Sequence, residues 1–164
     1  MVRWRATGVR VLVLLAAAAL AGCAALQPPE IRYLQQSRYG ELEEHMRAEI
    51  KDPARAPFAR LFYLCFAHSR VKRYGELFTC LDHLERRVAA GDHRVFVFDF
   101  AAAPPLMRAE ALIELGQYRR ALAEARRAAD LVRPSNAYLQ LRVYALTAAA
   151  TVPKPSASPP SSRR

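Results

Sequence analysis

MRAEALIELGQYRRALAEARRAADLVRP, Met107 to Pro134, carries the pattern that organises most of this chain. Ala109 and Leu112 fall on one helical face and lead to a break at Gly116. Tyr118, Ala121, Ala125 and Ala128 restart an apolar face, and Pro134 closes it. Apolar residues at steps of three and four on both sides of a glycine turn predict two antiparallel amphipathic helices. Alanines on the facing sides let the two backbones approach closely.

The motif has relatives elsewhere in the chain. Arg38-Tyr39-Gly40-Glu41-Leu42 recurs unchanged as Arg73-Tyr74-Gly75-Glu76-Leu77, thirty-five residues later. Gly116, Tyr118, Ala121 and Ala128, with Pro134 one residue late, resemble a tetratricopeptide repeat, whose period is about 34 residues. The resemblance implies that Tyr39, Tyr74 and Tyr118 are equivalent turn residues. The forty-four-residue step from Tyr74 to Tyr118 then contains an insertion of about ten residues. The expected fold is all-α: antiparallel helical hairpins over residues 30–150, stacked as a short tetratricopeptide-like solenoid with a terminal capping helix. An irregular bundle of the same helices is the alternative.

The chain opens with features of an export signal. Arg3, Arg5 and Arg10 precede an apolar run of ten residues, Val11 to Leu20. A membrane-spanning helix needs about 20, so residues 1–22 are expected to be a signal peptide. Leu20-Ala21-Gly22-Cys23 resembles a bacterial lipobox, which implies acylation of the Cys23 thiol, with an ordinary secreted protein as the alternative. Ala24 in the second mature position implies onward transfer to the outer membrane. Residues 23–29 would be a lipidated tether. Without its first 22 residues the chain carries 22 Lys plus Arg against 15 Asp plus Glu, net +7. Such a balance permits contact with anionic lipid, cell-wall polymer or an acidic protein. Export argues against nucleic acid as a partner.

Glu30–Gln36 reads as a brief helix, and Tyr39–Lys51 as a longer one with Leu42, Met46 and Ile50 in a stripe. Glu41, Glu43 and Glu44 lie in its first turns, where the helix dipole favours negative charge, and Asp52-Pro53 ends it. A second unit starts near Pro57. Leu61, Leu64, Cys65 and His68 form the stripe of its first helix; Tyr74, Leu77, Leu81, Leu84 and Val88 form that of its second, with Gly91 as the stop. Its bulkier residues should hold its helices further apart than those of the third unit. The insertion, 92–103, contains Val95-Phe96-Val97-Phe98-Asp99-Phe100, either a short extended segment or an irregular run packed on the helices. Its aromatics are expected to cover the junction of units two and three. Ser135 or Asn136 can cap a last helix, Ala137 to about Ala150. Residues 151–164, rich in Pro and Ser, are expected to be disordered.

Nothing in the spacing points to catalysis. His45, His68, His83 and His93 form no HExxH and no i, i+4 pair, and there is no CxxC. Ser37, Ser69 and Ser135 lack a Gly-x-Ser-x-Gly context. No metal or cofactor is expected. In the family resembled, the first helices of successive units line a groove that holds a partner segment. Carried over by position, that implies Phe62, Phe66 and Arg70 from the second unit, Leu106, Glu110, Ile113 and Glu114 from the third, and Gln140 and Tyr144 from the capping helix. The alternative places the phenylalanines in a core. Cys65 and Cys80 are equidistant from the turn at 70–73, and in an oxidising compartment they can pair as a disulfide. Otherwise they are two small buried apolar residues. The expected function is a non-catalytic, membrane-anchored scaffold binding a protein partner. An accessory subunit of a secretion, pilus or outer-membrane assembly machine is one alternative, and a cell-wall enzyme another.

Overall fold

A computed structural model describes residues 27–95, 98–132 and 137–151. The expected signal peptide, Cys23, most of the tether, Phe96 and Val97, Ser135 and Asn136, and the tail after Thr151 lie outside the described residues. The described chain is all-α apart from one small hairpin. Its helices are α1 (Pro29–Gln35), α2 (Tyr39–Glu49), α3 (Phe58–Arg70), α4 (Tyr74–Ala89), α5 (Ala103–Glu114), α6 (Tyr118–Leu131) and α7 (Ala137–Thr151). Strands β1 (Arg94–Val95) and β2 (Phe98–Asp99) pair antiparallel between α4 and α5, Arg94 opposite Asp99 and Val95 opposite Phe98. Each helix packs on the next. In addition, α3 touches α5 and α5 touches α7. That places the first helices of successive hairpins side by side along one face, as a repeat-like stack requires.

One turn builds all three hairpins. Ser37, Lys72 and Gly116 have φ of 56°, 61° and 73°, each two residues before the tyrosine that opens the next helix. The amides of Arg38, Arg73 and Gln117 donate to the carbonyls of Tyr33, His68 and Leu112 at 2.9, 3.0 and 2.8 Å. The amides of Ser37, Lys72 and Gly116 donate to Leu34, Ser69 and Ile113. This pair of bonds is the Schellman arrangement, which satisfies carbonyls left open at a helix end. The αL residue is glycine only in the third turn, so that break shows in its own residue type, while the turns at Ser37 and Lys72 are marked by the tyrosines that follow them. Gly91, with φ 82°, ends α4 in the same way.

The expected stripes are the buried ones. Leu42 and Met46 on α2, Leu61, Leu64 and Cys65 on α3, and Leu77, Leu81 and Leu84 on α4 form one core. Ala109 and Leu112 on α5 are buried, as are Ala121, Ala125 and Ala128 on α6. The Cys65 and Cys80 sulfurs are joined in a disulfide between α3 and α4, with Cα atoms 5.6 Å apart.

Three boundaries differ from the sequence reading. α1 starts at Pro29, which suits a first helical position because its missing N–H would be unpaired there anyway. α2 stops at Glu49, two residues before Lys51, because Ile50 is already extended ahead of Asp52-Pro53. α5 includes Pro104 and Pro105 in its first turn, where a helix tolerates proline. Glu43 departs from the dipole reading: it is 4% exposed and turned toward α3. There its carboxylate lies 2.9 Å from Arg47, 3.0 Å from Arg73 and 3.4 Å from the His68 ring nitrogen Nδ1.

Candidate functional site

Along the face where α3, α5 and α7 adjoin lies a cavity of about 240 Å³. Phe62 and Phe66, one helical turn apart on α3, form its aromatic wall with ring centroids 6.4 Å apart and nearly parallel. Their sequence spacing puts both on the α3 side next to the buried stripe, so they are half-buried: neither core nor free in water. Phe100, arriving from the insertion, lies 4.9 Å from Phe62 and closes one end. Leu106, Met107 and Ala103 of α5 contribute to the lining, Leu106 being only 2% exposed. The rim is charged. The Arg70 guanidinium sits 5.3 Å from the Phe66 ring centre and 5.6 Å from that of Tyr39, a geometry favoured by the ring quadrupole. Glu110 and Arg142 form an ion pair between α5 and α7. Burial, and then the neighbouring Arg70 charge, hold the Arg142 pKa below its usual value. Two guanidiniums therefore face one carboxylate over an apolar trough.

Of the residues carried over from the family resemblance, Phe62, Phe66, Arg70, Leu106 and Glu110 line this cavity. The others do not. Ile113 packs against Leu112 and Ala121. Glu114 accepts a hydrogen bond from the Tyr74 hydroxyl and pairs with Lys72 at 3.1 Å, fastening the end of α5 to the second hairpin's turn. That hydrogen bond, with burial second, pushes the Tyr74 pKa up to about 12, and the same bond lowers Glu114. From α7 the cavity takes Arg142 instead of Gln140 and Tyr144, and Tyr144 points outward at 75% exposure. Phe100 lies where the insertion's aromatics were expected, over the junction of the second and third units, whereas Arg142 was not among the residues carried over. The only available signal for Arg142 was that it is the one charged residue in an otherwise uncharged helix.

A rule of the stack emerges from these contacts. Tyr39 meets Arg70 near the end of the next first helix, and Tyr74 meets Glu114 at the equivalent position one unit later. The turn tyrosines are thus the rivets between units, and the groove residues lie beside them.

A second concavity of about 460 Å³ lies on a different side of α3, lined by Leu61, Leu64, His68, Thr79, Cys80 and His83 among others. Burial lowers the pKa of His68 there, with Glu43 opposing the shift. The other histidines are dispersed: His83 meets Arg86 at 3.0 Å, and His93 meets Asp99 at 3.1 Å inside the insertion. Among the described residues no group of three or more His, Cys, Asp or Glu is placed to hold a metal ion. No described helix is long and apolar enough to cross a membrane. Comparison with protein-family models, curated proteins and solved structures found no match.

Proposed function

We propose that this chain is a non-catalytic protein-interaction module of the bacterial envelope. It is lipid-anchored through Cys23 on the periplasmic side of the outer membrane, and it holds an extended segment of a partner protein in the groove between α3, α5 and α7. The observation that carries the reading is the half-buried aromatic wall of Phe62, Phe66 and Phe100 beneath the Arg70 and Arg142 guanidiniums. Concave sites of this kind, mostly apolar with a few placed polar groups, are where ligands bind. Aromatic and arginine side chains dominate binding energy at protein interfaces. The excess of positive charge favours a segment with an apolar side chain next to a carboxylate. The lipobox residues Leu20-Ala21-Gly22-Cys23 support the anchor.

A photo-crosslinking residue at Phe66, in the lipidated chain in cells, is expected to capture a defined partner, while the same residue at exposed Arg126 on α6 captures none. The partner band should be lost when Phe62→Ala and Arg70→Glu are combined in a protein with an unchanged melting curve. Retention of the band in that variant removes the groove from the function. For the anchor, Cys23→Ser should abolish incorporation of labelled fatty acid. Labelling that persists in the variant refutes a lipobox at this cysteine.

A further inference from the structure

α7 is the last described helix of the stack, and its outer side lacks the polar surface that an end helix carries. Val143, Leu146 and Ala150 face the body of the protein. On the opposite side Leu141, Tyr144, Ala145 and Ala148 recur at steps of three, one and three, forming one stripe of a helix. Leu141 is 69% exposed and Tyr144 75%. The sole charged residue of α7, Arg142, is turned toward Glu110, so no charge interrupts the stripe.

We propose that this face is a homodimer interface, on which α7 of a second copy lies antiparallel about a two-fold axis between Tyr144 and Ala145. The order of sizes along the stripe favours this pairing. Its first half is large, Leu141 and Tyr144, and its second half small, Ala145 and Ala148. An antiparallel two-fold sets Leu141 against Ala148 of the partner subunit, and Tyr144 against Ala145 of the partner subunit. Every large side chain thus meets a small one, whereas a parallel pairing would set large on large and leave the alanines apart. A two-fold contact is self-complementary by construction and is the commonest oligomer symmetry. Alanines admit a close helix approach, as Ala121 and Ala125 already do within this chain, where both are fully buried. The stripe itself sets no charge against its own copy. One helix pair is small beside the roughly 1,200–2,000 Å² of a stable complex, so the dimer is transient in solution. Tethering both copies to one membrane raises their effective concentration.

The test uses the full lipidated chain in detergent, where Cys65 and Cys80 are already joined. Leu141→Cys and Ala148→Cys variants are mixed under mild oxidation. The mixture is expected to give a cross-linked dimer about tenfold above either variant alone. Equal yields in the mixture and in Leu141→Cys alone would overturn the antiparallel arrangement. Sedimentation gives an independent measure. Tyr144→Glu, on an exposed position, should weaken association about tenfold or more without altering the melting curve. Unchanged association would overturn the interface, as would a wild-type chain that stays monomeric at every concentration. An intramolecular cross-link between cysteines introduced at Leu141 and Ser158 would also overturn it, by identifying the chain's own tail as the occupant.

Discussion

The second and third hairpins share one turn geometry and one topology, but they are held together by different means. Between α3 and α4 the contact is made by Leu61, Leu64, Leu77, Leu81 and Leu84, and it carries the Cys65–Cys80 disulfide. Between α5 and α6 the second helix contributes Ala121, Ala125 and Ala128, all fully buried, and no covalent link. The second hairpin has side-chain bulk and a crosslink that limits the unfolded chain. The third relies on close approach, in which dispersion between tightly packed small groups replaces buried area. The groove lies between a covalently pinned wall on α3 and an alanine-packed wall on α5. The first presents the aromatics, and the second depends on helix spacing to set the groove's width.

The comparison can be broken most severely at the disulfide. Replacing Cys65 and Cys80 together with serine opens a loop whose ends are 15 residues apart, a loss of about 3 kcal/mol by loop entropy. Reduction of the wild-type chain should lower the melting temperature comparably and leave the double variant unaffected. A thermal melt with and without reductant checks both. Ala121→Leu is the corresponding insult to the third hairpin. With the site fully buried, it should cost about 1–3 kcal/mol. A melting temperature that does not move would mean that the α5–α6 contact relaxes to accept the larger residue, and that close approach is not what holds it.

A smaller difference appears with pH. The second hairpin contains buried His68, while α5 and α6 contain no histidine. Burial lowers the folded pKa of His68 below 6.5, so well above that pH the imidazole is uncharged in both states and contributes no pH dependence. As pH falls through 6.5 the unfolded chain takes up a proton that the folded chain resists, and stability declines until the folded pKa is reached. His68→Gln should flatten the melting temperature across that window, and a slope equal to wild type would assign it to another group. The smallest effects belong to the turns. Gly116→Ala meets no atom within 4 Å of the new Cβ, so only its positive φ is penalised, by about 1 kcal/mol. Ser37→Gly at the equivalent position should raise stability by up to about 0.5 kcal/mol. Relief of the left-handed backbone there exceeds the added freedom of the unfolded chain by little. Chemical denaturation of both variants measures the pair, and equal signs would contradict one shared turn.

Much of the fold was legible in the sequence because amphipathic periodicity survives wherever one face is buried and the other wet. The stripes of α2 to α6, the break at Gly116 and the equivalence of Tyr39, Tyr74 and Tyr118 all follow from residues local to each element. The place of Phe62 and Phe66 beside the stripe of Leu61, Leu64 and Cys65 was also legible, but their role as a groove wall came from the family resemblance, with a core as the alternative. The capping helix behaved differently. AYLQLRVYALTAAAT is apolar on all sides, so nothing local says which side turns inward. Gln140 and Tyr144 were therefore carried into the groove by family position alone, and only packing against α5 and α6 set the phase that puts Arg142 there instead.

Tertiary structure also decided what depends on residues far apart in sequence. Glu43 had the local surroundings of an exposed helix-start carboxylate, and its burial comes from α3 and the turn before α4 delivering His68 and Arg73 to it. Phe100 joined the groove because β1 and β2 fold the insertion back onto α3. By itself the sequence determined which segments are helical, where they turn and which units repeat, since those are set by neighbours a few residues away. Helix phase where polarity is uniform, and contacts between units, arise only when the helices close on one another and burial selects a single arrangement.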